Sequence, residues 1–140
     1  HPKGMELALD IMEQCKTYAD AAGGSFKYTD NFEEGVEGAH VVYPKAWCAT
    51  PIFQAPIGEN DPKKTKEIFD AHKDWKCTAD TMKLAHKEAI YLHCLPADRG
   101  YEVSNEVMDK TSGPGWTSAI FDQAENRLHV QKAVMSLVMQ

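Results

Sequence analysis

The chain has 140 residues, 43% of them hydrophobic, and a formal net charge of −6 at pH 7. This length suits one domain with a single core, and the negative charge argues against nucleic acid or an anionic membrane as a partner. No run approaches the roughly 18 consecutive apolar residues of a membrane span. The sequence begins at His1-Pro2 without the pattern of a signal peptide, and we expect it to be a piece of a longer protein.

Four elements are predicted in the first half: a helix over residues 5–22, a short strand over 25–28, a short helix over 31–37 and a buried parallel strand over 40–43. Apolar residues recur at steps of three and four through the first helix, and Gly23 and Gly24 supply its stop. Asn31 with Glu34 is typical of a capping box. The β-rich run closed by Pro44 indicates the buried strand, and residues 45–60 are expected to form a loop.

Six elements are predicted in the second half: helices over residues 62–71 and 78–87, a central strand over 89–94, a short helix over 104–109, a strand over 118–121 and a final helix from Asp122. Asp61 and Thr78 are good helix caps, and Asp122 with Glu125 repeats the capping-box pattern. The expected core face of the final helix comprises Leu128, Val130, Val134, Leu137 and Val138. Strands that alternate with helices predict an α/β fold with a mostly parallel sheet.

The cysteines are spread along the chain without a close pair, at Cys15, Cys48, Cys77 and Cys94. Thiols in such a pattern are expected to be reduced, which favours a cytoplasmic location. His72 and Cys77 come nearest to the spacing of metal ligands, but two ligands are too few for a zinc site. The sequence therefore predicts no disulfide, no metal and no cofactor.

Two motifs carry most of the information about function. His-Cys-Leu-Pro at residues 93–96 ends the predicted central strand, and Phe-Asp-Gln-Ala-Glu-Asn-Arg at residues 121–127 opens the final helix. Ligands of α/β sheets bind at the carboxyl ends of strands. A thiol, a main-chain turn and Arg127, in the first turn of the helix, are expected there. Because free N–H groups at a helix start favour anions, the pattern indicates a site for a small anion and an amine.

Both motifs resemble signatures of the ornithine-type branch of the aspartate/ornithine carbamoyltransferases. The resemblance extends back through residues 41–47 and 72–75, which are similar to the knotted branch that includes the acetylornithine carbamoyltransferases. It implies that residues 1–140 are the amino-acid-binding domain of such an enzyme. This domain has an α/β fold, with a Rossmann-like, mostly parallel sheet and helices on both faces. The chain would lack the domain's first strands and the carbamoyl-phosphate domain, and the knot would lie near residues 47–58.

The resemblance also implies the roles of individual residues. Arg127 matches the arginine that contacts carbamoyl phosphate, and a guanidinium can make two parallel hydrogen bonds to such oxygens. Cys94 and the carbonyl of Leu95, beside Pro96, match groups that contact the amine and the carbamoyl group. Lys45 matches a substrate-binding lysine of the knotted branch and suits an α-carboxylate. We therefore predict catalytic roles for Cys94 and Arg127. We predict substrate binding by Arg127 and by Lys45, Leu95 and Pro96.

Two acidic residues depart from the family pattern. Aligned without a gap, Asp98 and Glu102 replace an arginine and a carboxylated lysine of the acetylornithine enzymes. Glutamate imitates the charge of a carboxylated lysine, which makes Glu102 a candidate for substrate binding. Asp98 would repel a group that an arginine attracts, which argues against acetylornithine as the substrate.

Each candidate also has a purely structural interpretation. Arg127 could pair with Glu125, Cys94 could pack as a small hydrophobe, and Lys45 and the two acids could be solvated loop residues. A covalent Cys-His nucleophile is disfavoured, because His93 and Cys94 are neighbours on a strand and point to opposite faces.

The leading hypothesis is a carbamoyltransferase that moves a carbamoyl group from carbamoyl phosphate to the amine of an ornithine-like amino acid, mainly by orientation and charge stabilisation. The resemblance implies a homotrimeric parent. The chain alone is expected to be inactive, since the family's phosphate-binding Ser-Thr-Arg-Thr segment is absent. The alternative is a non-catalytic binding lobe for a small ligand or partner, favoured by Asp98 and Glu102. A dinucleotide-binding domain is disfavoured because no Gly-x-Gly-x-x-Gly follows a strand.

Overall fold

The computed structural model describes residues 1–3, 5–47 and 62–139. Along these residues the elements are α1 (Leu9–Ala21), α2 (Phe32–Val36), β1 (Val41–Val42), α3 (Pro62–Ala71), α4 (Ala79–Met82), β2 (Ile90–Tyr91), α5 (Asn105–Asp109), β3 (Thr117–Ser118) and α6 (Ile120–Val138). They belong to two compact units, residues 1–35 with 47–73 and residues 36–46 with 74–140. Cys48, the Asp61 cap and most of both the predicted loop and the predicted knot lie outside the described residues.

A parallel sheet of three strands, in the order β1-β2-β3, organises the second unit. Val42 pairs with Tyr91 on the central strand, and Tyr91 pairs with Ser118 on the other side. The strands run in one direction, so their carboxyl ends lie along one edge of the sheet. The predicted α/β fold with a parallel sheet is confirmed. β1 is an edge strand of this sheet, and the predicted burial holds for Val42, 7% exposed, but not for Val41, 50% exposed.

The core of the second unit lies where the sheet meets the short helices. Its completely buried apolar residues are Cys77, Met82, Ala89, Tyr91, Val103 and Val107. Helix α5 packs against both β3 and α4. Tyr91 therefore anchors the central strand, and the segment that follows it starts from a fixed position.

Two helix starts that the sequence predicts are confirmed by their side-chain caps. At α4 the Thr78 hydroxyl accepts a hydrogen bond from the Thr81 N–H at 3.3 Å, and the Thr81 hydroxyl accepts one from the Thr78 N–H at 2.7 Å. Before α2, Asn31 Oδ1 accepts a hydrogen bond from the Glu34 N–H at 3.2 Å. These bonds are local and satisfy N–H groups of the first turn, which explains why sequence patterns are sufficient to find them.

Other boundaries in the first two thirds of the chain differ from the prediction. Helix α1 begins at Leu9 rather than at residue 5, and residues 25–28 form no strand. Helix α4 ends at Met82 rather than at residue 87. Beyond Met82 the chain turns, and the His86 N–H donates to the carbonyl of Ala39 at 3.0 Å. A tertiary hydrogen bond to the segment before β1 therefore replaces further helical bonds.

The predicted start of the last helix is also wrong. β3 comprises Thr117–Ser118 rather than residues 118–121, and α6 begins at Ile120. The Ala119 N–H donates to the Tyr91 carbonyl, which continues the ladder, while the Ala119 carbonyl accepts from the Gln123 N–H, which opens the helix; both bonds are 3.0 Å long. The predicted capping pair, Asp122 with Glu125, consequently lies inside the helix.

The predicted core face of α6 is exposed. Ile120, 1% exposed, is the buried residue of this helix, whereas each predicted core residue is at least half exposed: Leu128, Val130, Val134, Leu137 and Val138. Helix α1 likewise has no buried residue. Apolar periodicity identifies the side of a helix that suits burial, but not what covers it. None of the described helices is long and apolar enough to cross a membrane.

Replacing Ile120 by alanine should lower the free energy of unfolding of the 140-residue chain by about 2–5 kcal/mol, because it removes a buried side chain and leaves a cavity. Leu137→Ala on the same helix is the matched control and should change it by less than about 0.5 kcal/mol, because Leu137 is 72% exposed. Urea unfolding followed by circular dichroism measures both. Equal losses would contradict the burial pattern described here.

Candidate functional site

Two predicted site residues follow adjacent strands at matching positions. Val42 and Tyr91 are paired at the ends of β1 and β2, and Lys45 and Cys94 each lie three residues further on. Both residues therefore lie at the carboxyl edge of the sheet, where α/β folds bind their ligands. Lys45 is exposed and Cys94 is half-buried.

Residues 94–96 form a tight turn immediately after β2. Leu95 has a φ of 54°, in the left-handed region, and the Leu95–Pro96 peptide bond is cis. The left-handed conformation costs a leucine on the order of 1 kcal/mol, so contacts must hold it in place. One such contact is the hydrogen bond from the Leu95 N–H to Nδ1 of His93, 2.9 Å long. Cys94 and Leu95 are half-buried and Pro96 is exposed, which leaves the turn accessible.

His93 lies behind this turn and is only 1% exposed. Its Nδ1 accepts a hydrogen bond from an N–H group, so the ring proton must be on Nε2. Nε2 lies 3.1 Å from Oε1 of Glu102, an electrostatic contact that lacks the alignment of a regular hydrogen bond. The same carboxylate oxygen accepts a hydrogen bond from the Asp98 N–H at 2.8 Å. His93 therefore connects the turn to the loop that follows it.

Glu102 is itself only 2% exposed, and its backbone is tied to the core. The Cys77 N–H donates to the Glu102 carbonyl, and the Ser104 N–H donates to the Cys77 carbonyl, both at 2.9 Å. The carboxylate faces His93 and the Asp98 N–H rather than solvent. Substrate binding by Glu102 stays a prediction, and this geometry favours an effect that passes through His93.

Two further ionisable groups lie in the same buried region. Burial raises the pKa of the Cys77 thiol to about 11, although a hydrogen bond with Thr81 opposes the shift. Burial, and the proximity of Cys77 and Glu102, raise the pKa of Tyr91. Both groups are therefore neutral at physiological pH. Cys77 is completely buried, so Cys94 is the more accessible of these two free thiols.

Arg127 lies on α6 but not in its first turn. Because α6 begins at Ile120, Arg127 is the eighth residue of the helix, and its predicted first-turn position is wrong. The unpaired N–H groups belong to the first four residues of a helix, so they do not reinforce anion binding by Arg127. The side chain is exposed. Within the described part of the chain it makes no ion pair with Glu125, whose carboxylate lies 3.6 Å from His129.

Gln123 contacts residues of the candidate site, and no sequence pattern used above identifies it. Its Oε1 accepts a hydrogen bond from the His93 N–H at 2.9 Å, and its Nε2 donates to the Tyr43 hydroxyl at 3.0 Å. It lies four residues before Arg127, on the same face of α6. Its place in the Phe-Asp-Gln-Ala-Glu-Asn-Arg motif, one turn ahead of the arginine, is the signal that could have found it.

The first unit contains an aromatic cluster of its own. Trp47 stacks on His72, with ring centroids 5.8 Å apart and 19° between the ring planes, and Trp47 also meets the edge of Phe69 at 6.4 Å. His72 Nδ1 lies 2.8 Å from the Ile68 carbonyl oxygen. The histidine of the His-Lys-Asp-Trp motif therefore has a packing role. Among residues 1–3, 5–47 and 62–139, no three His, Cys, Asp or Glu side chains converge in a way that would hold a metal ion.

Comparison with known proteins identifies the family. The family model described as aspartate/ornithine carbamoyltransferase, Asp/Orn binding domain, matches residues 1–138. The chain belongs to this family. The resemblance seen in the sequence motifs is thus confirmed at the family level, whereas the assignment to the knotted branch stays a prediction.

Individual relatives agree with this assignment. The ornithine carbamoyltransferase of Caldicellulosiruptor saccharolyticus is 42% identical over 137 residues, which cover 98% of this chain and 40% of that protein. A solved ornithine carbamoyltransferase from Pyrococcus furiosus has a TM-score of 0.76 and 33% identity, covering 99% of this chain and 40% of that one. A variant N-acetyl-L-ornithine transcarbamylase, solved with carbamyl phosphate and N-succinyl-L-norvaline, has a TM-score of 0.77 and 30% identity, covering 97% and 37%. The chain spans about 40% of the length of the curated relatives it matches.

The two free thiols of the second unit should differ strongly in reactivity. At pH 8 a thiol with a pKa of about 11 is ionised in roughly one molecule in a thousand, and Cys77 is also inaccessible. Iodoacetamide should therefore label Cys94 at least about 100 times faster than Cys77, as measured by peptide mass spectrometry. In urea the two rates should converge, and similar rates in the native protein would contradict this description.

Glu102→Ala should lower the free energy of unfolding by about 1–3 kcal/mol, because it leaves the Asp98 N–H without its acceptor and removes the carboxylate that lies beside the buried Nε2 of His93. Glu102→Gln should cost less, since its amide oxygen can still accept. Glu106→Ala, at an exposed position on α5, is the control and should stay within about 0.5 kcal/mol of wild type. Urea unfolding measures the free energy of unfolding of each variant. An alanine variant as stable as wild type would show that the buried contacts of the Glu102 carboxylate are not stabilising.

Proposed function

We propose that the protein containing this chain is a carbamoyltransferase, and that residues 1–140 supply its amino-acid-binding domain. It would transfer the carbamoyl group of carbamoyl phosphate to the amine of an ornithine-like amino acid. The observation that carries the proposal is the Cys94–Pro96 turn, held by His93 at the carboxyl edge of the parallel sheet, in a chain of this family. The N-acetyl-L-ornithine transcarbamylase relative was solved with carbamyl phosphate and an amino-acid analogue, which supports both substrate classes.

The chemistry assigns a simple task to each group. The amine nitrogen attacks the carbonyl carbon of carbamoyl phosphate, a C–N bond forms and the C–O bond to phosphate breaks. The leaving phosphate takes the electron pair of that bond and accepts the proton that the amine loses. Cys94 and the carbonyl of Leu95, beside Pro96, would receive the amine N–H groups and aim the nitrogen lone pair. Arg127 would stabilise the negative charge that develops on the carbamoyl and phosphate oxygens, which is the largest contribution in reactions of this kind.

Charge explains why two exposed cations matter. The chain carries a formal charge of −6, so its overall field opposes both carbamoyl phosphate and the carboxylate of an amino acid. Local groups must therefore provide the attraction. Lys45, exposed beyond β1, would hold the α-carboxylate. Arg127, exposed on α6, would hold the donor.

The proposal extends to the parent protein. We propose a cytoplasmic homotrimer in which a further domain binds carbamoyl phosphate, and a chain of the knotted branch that needs no cofactor. The relatives named ornithine carbamoyltransferase favour ornithine as the amine. The exposed Asp98, where acetylornithine enzymes have an arginine, argues in the same direction.

A non-catalytic binding lobe is the second candidate. Its support in the sequence is the pair of acids, Asp98 and Glu102, that replace basic residues. The burial of Glu102, whose side chain is 2% exposed and lies against His93, weakens that support. Asp98 alone then favours the lobe.

The test is turnover by the full-length protein with carbamoyl phosphate and either ornithine or N-acetylornithine, followed by the ureido product and the released phosphate. The ureido product and phosphate should appear in equal amounts, and turnover should be faster with ornithine than with N-acetylornithine. The 140-residue chain alone should form neither product. An amino acid that binds the full-length protein without product formation would instead establish the binding lobe.

Arg127→Ala in the full-length protein should lower kcat/KM by about 10²–10³-fold, because it removes a charged hydrogen-bond donor used in the transition state. Lys132→Ala removes another exposed cation from the same helix and should change kcat/KM by less than about threefold. Steady-state kinetics with both substrates varied measures the effect. Equal losses in the two variants would show that Arg127 has no specific role.

A further inference from the structure

The bond between Gln123 and His93 lies at the point where the sheet stops. On the β3 side of β2 the ladder continues as far as the hydrogen bond from the Ala119 N–H to the Tyr91 carbonyl. The next backbone donor on that side of β2 is the His93 N–H. Beyond Ser118 the chain leaves the sheet, and the Ala119 carbonyl accepts from the Gln123 N–H, which opens α6. Gln123 Oε1 accepts the hydrogen bond from the His93 N–H, at 2.9 Å.

This bond fixes the residue from which the Cys94–Pro96 turn departs. A buried backbone N–H needs an acceptor, and His93 is 1% exposed. Cys94 is the next residue, and the Leu95 N–H is bonded to the His93 ring. A displacement of the His93 backbone is therefore passed directly to both groups that would contact the amine.

The other end of the Gln123 amide reaches β1. Nε2 donates to the Tyr43 hydroxyl at 3.0 Å, and Tyr43 lies two residues before Lys45. Tyr43 is 44% exposed, so water competes for this bond and it should be the weaker of the two. Gln123 nevertheless joins the ends of β1 and β2 to the helix that carries Arg127, one turn further along the same face.

We infer that Gln123 is a positioning residue that sets the Cys94–Leu95 turn relative to Arg127. This inference rests on the proposed carbamoyl transfer. Gln123 itself touches no reacting atom. It holds the backbone of His93 against α6. The Cys94–Leu95 turn, which would aim the amine, therefore keeps a fixed position relative to Arg127, which would stabilise carbamoyl phosphate. A misplacement of about 1 Å between such groups costs on the order of 10²-fold in rate.

Substitutions can separate the two hydrogen bonds of the Gln123 side chain, one with the His93 N–H and one with the Tyr43 hydroxyl. Gln123→Met has a similar length but can bond neither partner. Gln123→Glu keeps both contacts, because a carboxylate oxygen can accept from the His93 N–H and the other from the Tyr43 hydroxyl. Tyr43→Phe removes only the weaker hydrogen bond, between Gln123 and the Tyr43 hydroxyl. Gln14→Met is the matched control, since Gln14 Nε2 donates to the Tyr18 hydroxyl at 2.9 Å on the exposed surface of α1.

The experiment measures kcat, both KM values and the thermal midpoint for each full-length variant. Gln123→Met should lower kcat about 10–100-fold, with a thermal midpoint within a few degrees of wild type. Gln123→Glu should restore kcat to within about threefold, and Tyr43→Phe should lose no more than about threefold. Gln14→Met should match wild type. An unchanged kcat in Gln123→Met, equal losses in the Met and Glu variants, or losses that only follow the thermal midpoint would overturn the inference.

A second measurement does not depend on turnover. Hydrogen–deuterium exchange of a peptide spanning residues 92–96 in the full-length protein should be slow in wild type and Gln123→Glu and at least about tenfold faster in Gln123→Met. If wild type shows no carbamoyl transfer, the proposed function fails, and this exchange still decides whether Gln123 fixes the turn. Equal exchange in the Met and Glu variants would overturn that placement.

Discussion

Three contacts of one buried histidine determine the arrangement of the carboxyl edge of the sheet. The backbone N–H of His93 donates to Gln123 on α6, its Nδ1 receives the N–H of Leu95, and its Nε2 lies against the carboxylate of Glu102. A ring at 1% exposure cannot exchange these partners for water, so each contact fixes a different segment. Because His93 directly precedes Cys94, the buried histidine sets the position of the accessible turn at residues 94–96.

The sequence predicts best those features that depend on neighbouring residues. The cap at Thr78 and the strand that leads to His-Cys-Leu-Pro at residues 93–96 involve local bonds and local apolar runs, and both are present. At the start of α6, the Ala119 N–H still bonds to the Tyr91 carbonyl of the sheet, while the Ala119 carbonyl already accepts from the Gln123 N–H of the helix. The capping pattern at Asp122 could not reveal that outcome, because Tyr91, which holds Ala119, is distant in sequence. The two-residue error in the helix start follows directly.

Burial was the least predictable property of the chain. The stripe on α6 has the spacing of a core face, yet Val134 and Leu137 are 52% and 72% exposed. Glu102 is the opposite case, since an acid in a polar loop is typically solvated but this one is 2% exposed. In both cases the environment is set by segments distant in sequence. Glu102 meets His93 only because residues 98–104 fold back along Cys77, a path that no local pattern encodes.

The position of Arg127 changes the physical basis of the anion binding that we propose for this residue. A first-turn arginine would share its task with the unpaired N–H groups and the dipole of the helix. The eighth residue of α6 lacks that support, and the net charge of −6 acts against it. In its proposed role the guanidinium would therefore depend on its geometry, and that geometry depends on how α6 is anchored. The buried side chain of Ile120 anchors the start of the helix, and Gln123 bonds the helix to His93, just beyond β2. The orientation of Arg127 therefore depends on contacts made one and two turns earlier.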